Sequence, residues 1–152
     1  MLNIRATTDD EIAIYALKQI ALEIGATEAM IDPNCREIIL EWIASARKVD
    51  QYQGFVAEIE QQLIGFIGCQ RYQKGYPQII HIVQYGYIWG LYVEPTYRRQ
   101  GIATRLMQTA IEYLSSINCT QILLHTSQVG QRVYEKMGFQ ISNEMSLKID
   151  EN

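Results

Sequence analysis

The chain reads as a mixed α/β domain, a mixed sheet with helices on both faces, in the order β-α-α-β-β-β-α-β-α-β. Three observations predict this class. Apolar residues recur at helical spacing before Gly54 and at strand spacing after it. Beyond Val93 a helix, a strand, a second helix and a last apolar-polar alternation follow one another. The 152 residues, 48% hydrophobic and 20% charged, suffice for one core without disulfide or metal staples, so residues 1–152 are expected to form a single domain.

Residues 2–6 (LNIRA) form the first expected strand. Thr8 with Glu11 three residues on makes a capping box, opening a helix through about Ile24. Asp32–Pro33 then supplies an N-cap and a first-position proline for a second helix, whose Ile38, Ile39, Trp42, Ile43 and Ala46 share one face. FVAEI (55–59) and LIGFIGC (63–69), separated by EQQ, read as an antiparallel hairpin. After the polar loop RYQKGYPQ, the run 79–93 is too β-branched and aromatic for a helix, and its last half is a long strand stopping at Glu94–Pro95.

The helix expected over 101–116 aligns Ile102, Ala103, Leu106, Met107, Ala110, Ile111 and Leu114 in one core-facing stripe. QILLHT (121–126) reads as a buried strand, and 129–137 as a short helix closed by Gly138 in a left-handed cap. FQISNEMSLKI (139–149) is expected to finish the sheet.

The net charge of −4 argues against a broad nucleic-acid or anionic-membrane surface. Cys35, Cys69 and Cys119 are widely spaced, without a CxxC pair or a Cys/His cluster, so neither a disulfide framework nor a metal site is expected. The acidic start MLNIRATTDDE is unlike a signal peptide, and no apolar run approaches the roughly 18 residues a membrane span needs. These features predict a cytoplasmic protein with neither membrane nor nucleic acid as partner.

One stretch asks for more than packing. In YRRQGIATRLM (97–107), the only adjacent arginine pair and a glycine open a helix that directly follows a strand. Gly101 in a first helical turn costs about 1 kcal/mol relative to alanine. The unpaired amides of a helix start, with the dipole behind them, form an anion site that Arg98 and Arg99 can reinforce. No Walker loop and no GxGxxG occurs. On this stretch alone two readings stay open, a phosphate-binding turn and a glycine turn with solvated arginines.

A resemblance separates them. Arg98-Arg99-Gln100-Gly101-Ile102-Ala103, within LYVEPTYRRQGIATRLM, resembles motif A (R-x-x-G-x-A) of the GNAT acyl-CoA N-acyltransferases. VYEKMGF (133–139) is similar to the family's second hallmark, a helix carrying Tyr and ending in Gly-Phe. Order and spacing match from about Gly54 to the C-terminus, while the N-terminal half fits as generic strand and helices.

The resemblance implies acetyl-CoA as co-substrate, in a V-shaped opening where the strand ending at Val93 splays from the strand at 121–126. The pantetheine arm would run along Leu91, Tyr92 and Val93, pairing with main-chain groups of Leu91 and Val93. Arg98 would border the pyrophosphate, which would sit on the amides of Arg99, Gln100, Gly101, Ile102, Ala103 and Thr104. Ser127 stands where many members have Asn, and Gly130 where they often have Ala. Tyr134 matches the position facing the departing sulfur. An ordinary phenol near pKa 10 would protonate a thiolate near 8.5 uphill by about 2 kcal/mol, so its expected role is a hydrogen bond.

The implied reaction is direct attack of a neutral amine on the thioester, with no covalent enzyme intermediate and no metal. The acceptor would be a small-molecule or peptide amine, and acidic net charge suits a cationic one. The strand before motif A, YIWGLYV, lacks the Glu or His some relatives place there, which leaves His125, His81, Glu58 or a water chain as base candidates. Trp42, Tyr85, Tyr87, Trp89 and Tyr92 are expected mostly in packing, some of them lining an acceptor pocket. The alternatives are a CoA-binding sensor without catalysis and a different phosphate-ligand protein. A homodimer is a plausible assembly for such a domain.

Overall fold

The computed structural model describes residues 1–79 and 82–149, apart from the side chains of residues 20–24, 28 and 129. Its elements are β1 (Leu2–Ala6), α1 (Asp9–Ile24), α2 (Cys35–Asp50), β2 (Gln53–Ile59), β3 (Gln62–Arg71), β4 (Tyr85–Val93), α3 (Ile102–Ser116), β5 (Gln121–Leu124) and α4 (Gln128–Lys136). The five strands lie in the order β1-β2-β3-β4-β5. The first three junctions are antiparallel, and β5 joins parallel to β4. The expected mixed α/β architecture is therefore present, with helices on both faces.

Local chemistry sets most element ends. Thr8 accepts from the Glu11 amide while the Glu11 carboxylate accepts from Thr8 N–H at 2.8 Å, closing the expected capping box. The β2–β3 turn rests on Glu60 and Gln61, both left-handed (φ 49° and 67°), as a two-residue hairpin loop requires. The second helix starts later than expected. The Asp32 side chain and carbonyl accept from the amides of Asn34 and Cys35, so Asp32–Pro33 forms a turn ahead of α2 and Asn34 is the N-cap.

Two cores sandwich the sheet. On one face α3 buries Ile102, Leu106, Met107, Ala110 and Leu114 against Ile64, Ile67, Ile88 and Val93. Each of these side chains other than Ala110 is worth about 1.5–3 kcal/mol when removed from water. On the other face α1 and α2 bury Ile12, Tyr15, Ile43 and Ala46 with Val56, Phe66 and Tyr92. Ile38, predicted on the apolar face of α2, is 51% exposed. The stripe that packs is Ile39, Ile43 and Ala46, with Trp42 at its rim.

The last expected strand does not form. Phe139 N–H returns to Tyr134 C=O at 3.0 Å to close α4, and residues 140–149 then run without a ladder. The apolar alternation Met145, Leu147, Ile149 is real, yet these side chains are 86–94% exposed. Period-2 spacing decides which side chains share a face; it supplies no edge to pair with. A cleft of about 610 Å³ separates this segment from β5.

Candidate active site

The site begins where the sheet comes apart. The β4–β5 ladder runs from Tyr85↔Gln121 to Ile88↔Leu124 and stops, so β4 continues to Val93 with β3 as its strand partner. At the same point β4 bulges. Gly68 pairs with Trp89 and Phe66 with Tyr92, so Ile67 faces two residues, Gly90 and Leu91. Gly90 has φ +74°, and a Cβ there would meet Gln19 Oε1 at 3.2 Å and Phe66 Cε1 at 3.3 Å.

The extra residue flips the side-chain alternation. Ile88 joins the α3-side core and Trp89 the α1/α2-side core; beyond the bulge Leu91 and Val93 face α3 and Tyr92 faces α1. Gln19 of α1 donates to the Leu91 carbonyl at 3.3 Å. Neither bulge nor glutamine contact was anticipated from the sequence, although a lone glycine inside YIWGLYV marks the place.

The turn after β4 carries the basic motif. Its proline begins a short 3-10 turn (Pro95–Tyr97), Arg99 is left-handed (φ 62°), and Gly101 is the N-cap of α3 at φ +79°. Gly101 is thus outside the helix, and the helix-interior cost expected for it does not apply. Its left-handed backbone is what selects glycine. No side chain caps α3, and its first bond is Arg105 N–H to Gly101 C=O at 3.1 Å, so the amides of Ile102, Ala103 and Thr104 precede the helical ladder. Nothing lies within 4 Å of where a Gly101 Cβ would be. The main chain at Gly101 is open, and the first amides of α3 have no carbonyl of the helix to bond.

Arg98 anchors this turn: its Nε donates to the Val93 carbonyl at 2.8 Å and its guanidinium lies 5.8 Å from the Tyr92 ring. Arg99 and Gln100 are exposed. Glu94, the residue after β4, is paired with Lys18 and accepts from Tyr92 Oη at 3.2 Å. The Lys18 hydrogen bond is the main reason that the Glu94 carboxyl is held below its usual range. Glu94 therefore keeps a partner of opposite charge where β4 ends.

Across the split, Ser127 is the N-cap of α4, and its Oγ accepts from Gly130 N–H at 3.1 Å. A Cβ at Gly130 would stand 3.2 Å from Tyr134 Cε2, so glycine here lets the tyrosine ring lie against the first turn of its own helix. Tyr134 is half-buried on the α3 side, with Phe139 edge-on at 5.9 Å, and burial raises its phenol above the ordinary value. Tyr134, Ile122, Leu124, His125 and Phe139 all line the 610 Å³ cleft.

The aromatic candidates divide. Tyr92 is buried against Tyr15, which stacks on Phe66 at 5.2 Å, so the Tyr92 ring is core and not pocket wall. Trp42, Tyr52, Trp89, Tyr87 and Tyr72 instead form a continuous chain of rings with centroids 5.2–5.9 Å apart. Its ends, Trp42 and Tyr72, reach the surface. Tyr85 lies under Lys74 Nζ at 5.5 Å, and its carbonyl accepts from Tyr72 N–H at 2.9 Å.

Of the base candidates, Glu58 binds Asn3 at 2.9 Å and Arg5 at 3.3 Å on β1–β2, two strands from the split, which removes it from the site. His81 lies outside the described residues. His125, the first residue beyond β5, is hydrogen-bonded through Nδ1 to Tyr87 Oη and stands 3.7 Å from Glu144 through Nε2. Burial pushes the Cys69 thiol up to about 12 and raises Cys119 as well, as inert thiols require. Among the described residues no cluster of three or more His, Cys, Asp or Glu can hold a metal ion, and no helix is long and apolar enough to cross a membrane.

Residues 13–139 match the model of the acetyltransferase (GNAT) family, and the chain belongs to that family. N-alpha-acetyltransferase 30 of Saccharomyces cerevisiae is 42% identical over 57 residues, a match spanning 36% of this chain and 32% of that protein. The chain thus accounts for less than a third of that relative's length. A GCN5-related N-acetyltransferase from Ralstonia eutropha JMP134 has the same fold, with TM-score 0.77, 24% identity, and 98% and 99% of the two chains covered. An acetyltransferase from Clostridium acetobutylicum, solved with acetyl-CoA, also gives TM-score 0.77, at 23% identity over 99% of this chain and 96% of that one.

Proposed function

We propose that this chain is an acetyl-CoA-dependent N-acetyltransferase, moving an acetyl group to the amine of a small molecule or peptide by direct attack in a ternary complex. The observation that carries this reading is the open Gly101 turn standing at the end of the same strand, β4, that separates from β5 beyond Ile88. Amides from Arg99 to Thr104 would hold the diphosphate, and the main chain of Leu91–Val93 would hold the pantetheine arm. The Leu91 and Val93 carbonyls already accept from Gln19 and Arg98, so their amide groups are the better donors toward the arm and the thioester oxygen.

Alignment of the two reactants is the largest task, because a preformed site replaces a bimolecular encounter. Tyr134 would face the sulfur. Its raised phenol makes full proton transfer to a thiolate cost more than the about 2 kcal/mol of an ordinary tyrosine, which favours a hydrogen bond that steadies the leaving group.

A second reading, a CoA-binding sensor on this fold, draws on Ser127, whose oxygen is engaged as a helix cap where many relatives carry Asn. Free-thiol release from acetyl-CoA with spermidine, glucosamine and glycylglycine separates the two. Amine-dependent thiol release supports the transferase; binding of acetyl-CoA without release for any amine supports the sensor.

A further inference from the structure

We propose that Tyr87 and His125 are the route by which the acceptor ammonium loses its proton, Tyr87 touching the amine and His125 passing the proton to water; this rests on the N-acetyltransferase reading above. Tyr87 pairs beside Leu123 in the parallel register, immediately before the strands separate. His125, two residues after Leu123, falls on the same sheet face as Tyr87. That face carries Trp89 and Trp42, whereas Tyr134 and Phe139 pack against the α3-side core. The group that would serve the sulfur, packed toward the α3 side, and the group that would serve the amine, on the Trp89 side, thus reach one split from its two sheet faces.

The bond between Tyr87 Oη and His125 Nδ1 has a preferred direction. The Glu144 carboxylate 3.7 Å from Nε2 favours a proton on Nε2, so Nδ1 offers its lone pair and the Tyr87 hydroxyl donates. The groups facing this pair are Tyr72 on the Tyr87 ring, Glu144 from the segment after α4, and Tyr134 and Glu135 from α4. Glu135 also accepts from Gln131 at 2.7 Å. Among the described residues no lysine or arginine lines the cleft, and the carboxylate within 4 Å of the imidazole is that of Glu144. Burial, with Glu144 and Tyr72 adding to it, raises the Tyr87 phenol, which therefore stays protonated and able to donate. His125 is 77% exposed, as a proton exit needs.

The protons balance. An acceptor ammonium gives one proton to Tyr87 Oη as the hydroxyl proton moves to His125 Nδ1, and the resulting imidazolium releases one to water. The neutral amine then forms its N–C bond to the acetyl carbon while the C–S bond breaks, and the second N–H proton ends on the CoA sulfur.

Tyr87→Phe and His125→Gln test this with spermidine, glucosamine and glycylglycine as probe amines. Each variant is expected to lower kcat/KM about 10²–10³-fold at pH 7, with the deficit closing as pH passes the probe amine's own pKa and the KM for acetyl-CoA unchanged. A structural role would lower the rate equally at every pH. In parallel, ¹⁵N resonances of the wild-type imidazole should show the Nε2–H tautomer of His125, lost in Tyr87→Phe. Wild-type turnover with an unaltered pH profile in His125→Gln, or an unmoved tautomer in Tyr87→Phe, overturns the proton route alone. A wild-type protein that binds acetyl-CoA and acetylates none of the amines overturns the transferase reading and this proposal with it.

Discussion

Replacing Gly101 with alanine separates the two costs a left-handed glycine can carry. The first is conformational: at φ +79° a Cβ costs about 1 kcal/mol, up to about 2, whatever surrounds it. The second arises where a ligand must approach the backbone. Among the described residues nothing lies within 4 Å of a Gly101 Cβ, so no packing penalty adds to the first. Gly25, the C-cap of α1, provides a matched control, with φ +62° and the same open surroundings. Both variants should therefore lose about 1–2 kcal/mol, a fall in Tm of about 2–8 °C for a chain of this size.

Their ligand affinities should diverge. A methyl over the amides of Ile102 to Thr104 displaces a bound phosphate oxygen and weakens one charge-assisted hydrogen bond, worth about 1.5–3 kcal/mol. The Kd for CoA is then expected to rise about 10- to 150-fold in Gly101→Ala and to stay at the wild-type value in Gly25→Ala. Isothermal titration with CoA, beside thermal melts of both variants, reads both quantities. Equal CoA affinity in the two variants would refute the reasoning, since Gly101 would then be a turn residue and nothing more.

Other outcomes follow from the same structure. Tyr134→Phe should lower kcat about tenfold or more while leaving the CoA Kd unchanged, because a hydrogen bond made in the transition state is lost and binding contacts are kept. Steady-state kinetics with titration checks it. Glu11→Gln turns the charged two-armed Arg5 pairing into a single neutral hydrogen bond while its amide oxygen can still accept from Thr8 N–H, costing about 1–2 kcal/mol at pH 7. The Glu11 carboxyl is held below its usual range, chiefly by the Arg5 hydrogen bond, so its stabilisation is present above the unfolded pKa near 4.3 and is lost as pH falls through the folded value. The Tm gap between variant and wild type should accordingly narrow below about pH 4. Cys69, buried with its thiol raised to about 12, should resist alkylation by iodoacetamide at pH 8 until the protein unfolds, which peptide mass mapping reads directly.

Features written in a few adjacent residues were legible in the sequence. The Thr8–Glu11 box, the hairpin and the stripe of α3 each depend on local spacing and appear where expected. Gly101 stands out in the sequence, but what selects it is its left-handed backbone, because one residue of helix boundary separates a costly interior glycine from a left-handed cap. Asp32–Pro33 misled in the same way, a turn and an N-cap sharing the same residue preferences. What stayed hidden was non-local. The bulge at Gly90 reverses which of Leu91 and Tyr92 faces α1, and only the pairing register of β3 reveals it. Glu58 is titratable but stands two strands from the split, and Tyr87, His125 and Glu144 meet from three separate segments. The alternation in 139–149 described side-chain faces correctly and found no edge to pair with.

The thermal midpoint of the purified protein with acetyl-CoA, CoA, ATP and NADH in parallel tests the central claim most directly. A ligand at about 100 times its Kd adds about 2.7 kcal/mol, a rise of roughly 5–10 °C for a chain of this size. The account predicts that rise with acetyl-CoA and CoA and little with ATP or NADH. No rise with either CoA species, or a larger one with the nucleotides, would contradict the assignment of the Arg98–Ala103 turn and the transferase reading built on it.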